Sequence, residues 1–517
     1  MSKKLASHAV LGFAVSSAIV GAVSGCSAGG DGNGESVSAT TTAFAADWGR
    51  GDGNNDDRPH AKHGVVDPGV RAGVPGGGTI IAGTNANEAA LWAEGRFRST
   101  EVEATCDECS DGLQGQPIPP GSPPDFTNSA GLGGRFNSNT CTVGCHSQPA
   151  LGGTSPFVNP SVAAMKAKGA TNVLPFFETI DGPTREVRFL FNPDGSRDGG
   201  VHQKFSVRGR SDAPLCTLGQ PDFEANRGNM SFRIPTPMFG LGIIDSLPDV
   251  EILKYKNTNL GRKAALGIHG QTNNNGNTGQ ISRFGWKAQN ASITMFAGEA
   301  YTVEMGITNE LFPISKTEDY DCNLGAEPND VTRTGPHGGE DAFDDPLKIM
   351  ADWMVFSIFM RFTDAPKPVA FDASAQSGLD AFNQIGCSEC HVPSMSTKAG
   401  DQGPQSPALK GVTANLYSDL LVHHMGGGLA DNVIQGGAGP DQFRSSPLWG
   451  IGQRIFFLHD GRTNDLVQAI LAHYSPPQHA HGNHPAYPAS EANQVIRNFA
   501  DLPSSKQQDL LHFLRSL

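Results

Sequence analysis

Two short cysteine–histidine motifs carry the chemistry that can be read from this chain. Cys387-Ser-Glu-Cys390-His391 separates two thiols by two residues and follows them directly with an imidazole. This is the attachment signature of a c-type haem. The thiols add across the two vinyl groups of one porphyrin, and the histidine is held under the iron as its proximal ligand. Cys141-Thr-Val-Gly-Cys145-His146 carries one more residue between the thiols, a rarer form of the same signature. Structural zinc and disulfides compete for such residues, but a histidine directly after the second cysteine, twice in one chain, favours haem. The expected cofactors are two covalently bound c-type haems. Cys141, Cys145, Cys387 and Cys390 would attach them, and His146 and His391 would bind the iron.

The other cysteines fit an exported protein. The chain holds nine, and four beyond the haem motifs (Cys106, Cys109, Cys216 and Cys322) form an even set, which in an oxidising compartment favours disulfides. Cys106–Cys109 with Cys216–Cys322 is one of three pairings. The ninth, Cys26, follows a basic start (Lys3, Lys4), an apolar run from Leu5 to Val23 and the small residues Ser24 and Gly25. That order describes a secretory signal, and the cysteine at its end is similar to the lipidated position of bacterial lipoproteins. Residues 1–26 are therefore expected to be a lipoprotein signal, leaving the mature chain in the periplasm, anchored through lipidated Cys26. With 38 basic against 52 acidic residues the net charge is −14, which argues against a nucleic-acid partner.

The elements that must position these groups are sparse. Charged residues make up only 17% of the chain, while Gly 64 and Pro 35 predict long irregular stretches rather than coiled coils or helical repeats. Residues 27–80, poor in large apolar side chains, read as a flexible tether. Leu379, Phe382 and Ile385 share one face of a helix leading into Cys387. Leu510, Leu511, Phe513, Leu514 and Leu517 share a face of a closing helix, with Ser504 as a suitable N-cap. A helix entering the motif and an amphipathic closing helix frame a cytochrome c domain over 366–517. Pro346 to Phe362 reads as a buried linker helix (346–365), and 81–345 as the N-terminal haem domain, with short strands near 185–191 and 202–207. The expected fold is mainly α with much irregular loop, two cytochrome c-like haem domains and a few short strands.

Several further stretches are similar to a known family. Phe136-Asn-Ser-Asn-Thr140 and Gln148 to Pro156 flank the first motif. Phe232 to Gly242, Arg283 to Ala288, Glu304-Met-Gly-Ile-Thr308, Leu421 to Gly426, Ser446 to Gly450 and Phe457 to Arg462 follow. Together they resemble the bacterial di-haem oxidoreductases, peroxidase-like proteins also called thiol oxidoreductases and distantly related to the di-haem cytochrome c peroxidases. The resemblance covers about 130–517. It implies that electrons enter at the C-terminal haem and react at the N-terminal haem. A pure electron-transfer cytochrome, or an oxygen-activating di-haem oxygenase similar to the rubber oxygenases, would share the two-haem plan. Carried over position by position, it implies Trp286 as the relay between haems and Glu304, in Val303-Glu304-Met305, as the acid/base over the reactive iron. His473 stands where the peroxidases place a methionine ligand, so it becomes the second ligand of the C-terminal haem, with Met425 as the alternative. Arg283 is a candidate propionate partner and His269 a candidate ligand for the first haem. A calcium ion between the domains would match the related peroxidases. The implied partners are a small electron-donor protein or a quinol-linked donor, and peroxide or another small oxidant.

Overall fold

A computed structural model describes residues 58–105, 131–332, 349–400, 404–480 and 486–517. The signal and Cys26, the tether as far as residue 57, and the Cys106–Cys109 pairing lie outside the described residues. All described residues belong to one compact unit. The expectation of a mainly α chain is only partly met. Eleven α-helices alternate with five small antiparallel sheets and long loops among the described residues, and the whole is 29% helical. The physical reason is the glycine and proline content, which ends helices early.

Two helical groups do most of the packing. In the first, α1 (Ala86–Arg98) lies against α4 (Asp352–Phe362). The contact is close because Gly95 has no side chain; a Cβ there would strike the Val355 carbonyl oxygen. Helix α4 also supports α2 (Leu241–Asp245) and α3 (Ile293–Met305). The expected linker helix over 346–365 is thus observed from residue 352, buried at the centre of the largest apolar cluster. In the second group, α5 (Ala373–Ile385) packs on the closing helix α8 (Ser504–Ser516). Gly378 allows this approach, since a Cβ would collide with the Asp509 carbonyl oxygen. Phe382, Tyr417 and Phe513 meet edge to face at the seam, with centroids 5.4 Å apart for Phe382–Phe513 and 6.2 Å for Phe382–Tyr417. Pro503, not Ser504, occupies the N-cap of α8.

The short strands fall close to their expected positions. Strand β1 (Arg135–Phe136) pairs with β4 (Phe205–Ser206), and β2 (Glu186–Phe189) sits between β3 (Val201–His202) and β5 (Met230–Arg233). Cys216 and Cys322 form a disulfide, as one of the three pairings required.

From residue 58, the stretch read as tether is fastened to the C-terminal region. Lys62 N donates to Gln507 (2.8 Å) and Arg71 N to the Gly452 carbonyl (2.8 Å). The Asp67 carboxylate pairs with Arg515 at 2.6 Å, where both are buried. Composition concealed this because the anchoring is done by isolated polar residues and backbone, not by an apolar face.

Candidate functional site

Each cysteine–histidine motif opens onto its own cavity. The N-terminal one is lined by Cys141, Cys145 and His146 together with largely apolar side chains. The motif is a single tight turn, in which Cys145 N donates to Cys141 O and His146 N to Thr142 O, both at 3.1 Å. His146 Nδ1 lies 2.9 Å from the Gly153 carbonyl oxygen. A proton on Nδ1 satisfies that carbonyl and leaves Nε2 unprotonated, the state in which a histidine binds iron. Burial pulls the His146 pKa down to about 4, so the ring is neutral. Burial likewise pushes the Cys145 thiol up to about 12.

The same cavity is lined by Glu304, in the last turn of α3. Ser292 caps the start of that helix by accepting from Met295 N, and Gly306, with φ of 71°, ends it. Asn137 fixes the carboxyl by donating from Nδ2 to Oε2 (2.7 Å), while its own backbone N donates to the Glu304 carbonyl (2.7 Å). Glu304 also hydrogen-bonds to Glu186 of β2. Burial first, and the neighbouring Glu186 charge second, raise the Glu304 pKa to about 8. Glu186 is also lifted by burial, but the guanidiniums of Arg188 and Arg233 outweigh this and hold it below the usual range. Glu186 was not singled out from the sequence. Its strand carries no motif, and only β-sheet pairing brings it to the cavity.

The C-terminal cavity is lined by Cys387, Cys390 and His391. His391 repeats the arrangement of His146, with Nδ1 3.0 Å from the Tyr417 carbonyl and its pKa pulled to about 4 by burial. His473 and Met425, the alternatives for a second ligand, both line this cavity. Helix α6 (Leu466–Leu471) carries His473 at its end, where Nδ1 lies 2.8 Å from the Ala469 carbonyl. Asp465 caps this helix, and Asp67 accepts from Leu466 N at 2.8 Å. His423 is buried between Glu491 (2.8 Å) and Asp419 (3.1 Å), with Nδ1 3.7 Å from Cys390 Sγ. His459 packs by its ring, stacked on Phe443 with centroids 4.4 Å apart.

Both cavities fit a haem. Each has an apolar interior and presents paired thiols with a neutral, carbonyl-anchored imidazole. The C-terminal cavity also offers an unmet cationic donor. Arg454 Nη2 is buried without a partner, and Arg444, beside it, donates only to main-chain carbonyls of Gly285 and Ser445. Burial lowers both guanidiniums to about 10. A propionate is the kind of anion that would satisfy them. Arg283 is not such a partner, because its donors already go to Asp249 and to the Ile281 and Leu247 carbonyls. His269 is exposed and lies toward the second cavity, where its backbone N donates to Glu491. It is not a ligand for the first haem.

Trp286 belongs to both cavities. Its Nε1 donates to the Ile234 carbonyl (2.9 Å), and Arg454 lies 5.8 Å from its ring. Residues 198–517 match the family model described as "Di-haem oxidoreductase, putative peroxidase". The chain belongs to this family. The match spans more than half of this di-haem oxidoreductase and includes Trp286, Glu304, His391 and His473, whereas the Cys141 motif precedes it. Among solved structures, a MauG-like protein associated with microbial copper homeostasis is similar at 17% identity and a TM-score of 0.24, covering 55% of this chain and 91% of that one. No curated protein matches significantly. No helix among the described residues is long and apolar enough to cross a membrane.

Proposed function

We propose that this oxidoreductase is an exported c-type cytochrome that reduces peroxide. The carrying observation is an asymmetry between two cavities that share Trp286. The first is lined by its motif histidine together with a carboxyl pair, the second by its motif histidine together with another imidazole. A carboxyl handles protons and would leave the iron of a haem held there open to a small oxidant, whereas an imidazole would ligate it.

Cys141 and Cys145 would attach one haem and Cys387 and Cys390 the other, with His146 and His391 as proximal ligands and His473 as the second ligand of the C-terminal one. Arg444 and Arg454 would neutralise its propionates. When bound, the haems supply redox-active iron, the C-terminal one taking electrons and the N-terminal one facing peroxide. Reduction consumes two electrons and two protons per H2O2, forming two waters as the O–O bond breaks. Glu304 takes a proton from one peroxide oxygen and returns it to the oxygen that leaves. Asn137 holds its carboxyl in place, and Trp286 bridges the cavities as the relay. The electrons come from a small donor protein or a quinol-linked donor, with the protein anchored in the periplasm through lipidated Cys26.

Electron paramagnetic resonance of the oxidised protein tests this. One high-spin and one low-spin haem, with peroxide turnover, is expected. Two low-spin haems without turnover would make the protein a carrier.

A further inference from the structure

Glu304 does not act alone on the wall of the first cavity. The Glu186 carboxyl comes from β2, a separate part of the chain, and hydrogen-bonds to Glu304 inside the same cavity. Two carboxyls in such contact cannot both be charged without strong repulsion, so they share a proton. The surroundings decide which one holds it. Arg188 Nε binds Glu186 Oε1 at 2.7 Å, and Arg233 faces the same carboxyl while paired with Asp431 at 2.6 Å. Lys204 reaches toward Glu304 but is held by buried Glu178 at 2.6 Å, and the Cys145 thiol is neutral. Asn137 donates to Glu304 Oε2 at 2.7 Å and so fixes that carboxyl in the cavity.

We propose that Glu186 is a positioning residue that forms a one-proton carboxyl pair with Glu304, Arg188 holding Glu186 as the anion so that Glu304 carries the shared proton. This rests on the reading of Glu304 as the acid/base, and it settles a conflict within it. A carboxyl protonated up to about pH 8 cannot by itself open the reaction as a base. A pair can. Glu304 gives its proton to the peroxide oxygen that leaves as water, the other oxygen's proton passes to the pair, and the pair ends with one proton, as it began.

The test uses the haem-loaded protein and two readouts. Infrared spectra taken against pH, without peroxide, should show a buried protonated carboxyl at pH 7 that ionises near pH 8 and is absent in Glu304→Gln. In Glu186→Gln the neighbouring anion is gone, so this ionisation should move down by about one pH unit or more. The alkaline limb of peroxide turnover should move with it. Glu186→Asp, which retains the charge, should keep both nearer to wild type. An ionisation unmoved in folded, fully loaded Glu186→Gln overturns the pair. So does a wild-type spectrum without the carboxyl band, a result that needs no Glu186 variant and leaves the peroxidase reading intact. Conversely, unchanged turnover in Glu304→Gln with the band present in wild type would defeat the acid/base reading rather than the pair.

Discussion

On the proposed reading, single side chains set what each cavity does. If Glu304 moves the proton, Glu304→Gln should keep both haems and their resting spectra while slowing peroxide reduction about 10²–10⁴-fold; steady-state turnover at matched haem content measures it. The second cavity offers a choice between imidazole and thioether. His473 has its Nδ1 anchored to Ala469, as His146 and His391 have theirs anchored to carbonyls, and this frees Nε2. His473→Ala should therefore turn one low-spin haem high-spin, and Met425→Ala should leave both unchanged. A near-infrared methionine–iron band that disappears in Met425→Ala would reverse the assignment. An imidazole also donates more strongly to ferric iron, so the C-terminal potential should be low.

At the scale of elements, the site depends on how short helices are terminated. Helix α6 has only six residues, too few to be stable alone. Its first turn is held by Asp465, which accepts from Val467 N at 2.6 Å, and by Asp67, which accepts from Leu466 N at 2.8 Å. Asp465→Ala removes one cap and should cost about 1 kcal/mol. Because His473 sits at the far end, the expected consequence is spectroscopic. The low-spin fraction of the C-terminal haem should fall on warming well before global unfolding, followed by absorbance and circular dichroism in parallel. Coincident transitions would mean the cap does not position the ligand.

For the whole molecule, the first expectation is stoichiometry. Both motifs are complete and each lines its own cavity, so a pyridine haemochrome assay should give two haems per chain. One haem would mean that the Cys141 site is unused. The second concerns the Cys216–Cys322 bridge, which spans a sequence separation of 106. Cross-links over long loops restrict the unfolded chain most, so Cys322→Ala should cost about 2–5 kcal/mol, read from denaturant unfolding. Gly134 packs against Cys322, one residue from the β1–β4 ladder that supports Asn137. Loss of the bridge should therefore weaken haem retention at the first site more than at the second.

Local chemistry was legible in the sequence. A Cys–Cys–His spacing is set by bond lengths and by the porphyrin, so residues 141–146 and 387–391 point to haem attachment without reference to a fold. The apolar periodicity of 373–385 and 504–516 also declares itself, because one helix face must be buried. Glu304, Trp286 and His473 came from resemblance, and the structure places each of them on a cavity wall. What stayed hidden was long-range and polar. Glu186 reaches Glu304 only through strand pairing, Asp67 caps a helix 399 positions away, and Arg454 waits for an anion beside Trp286. No periodicity marks such residues, because a hydrogen bond needs one atom in one place rather than a repeating face. Only the tertiary structure brings those single atoms together.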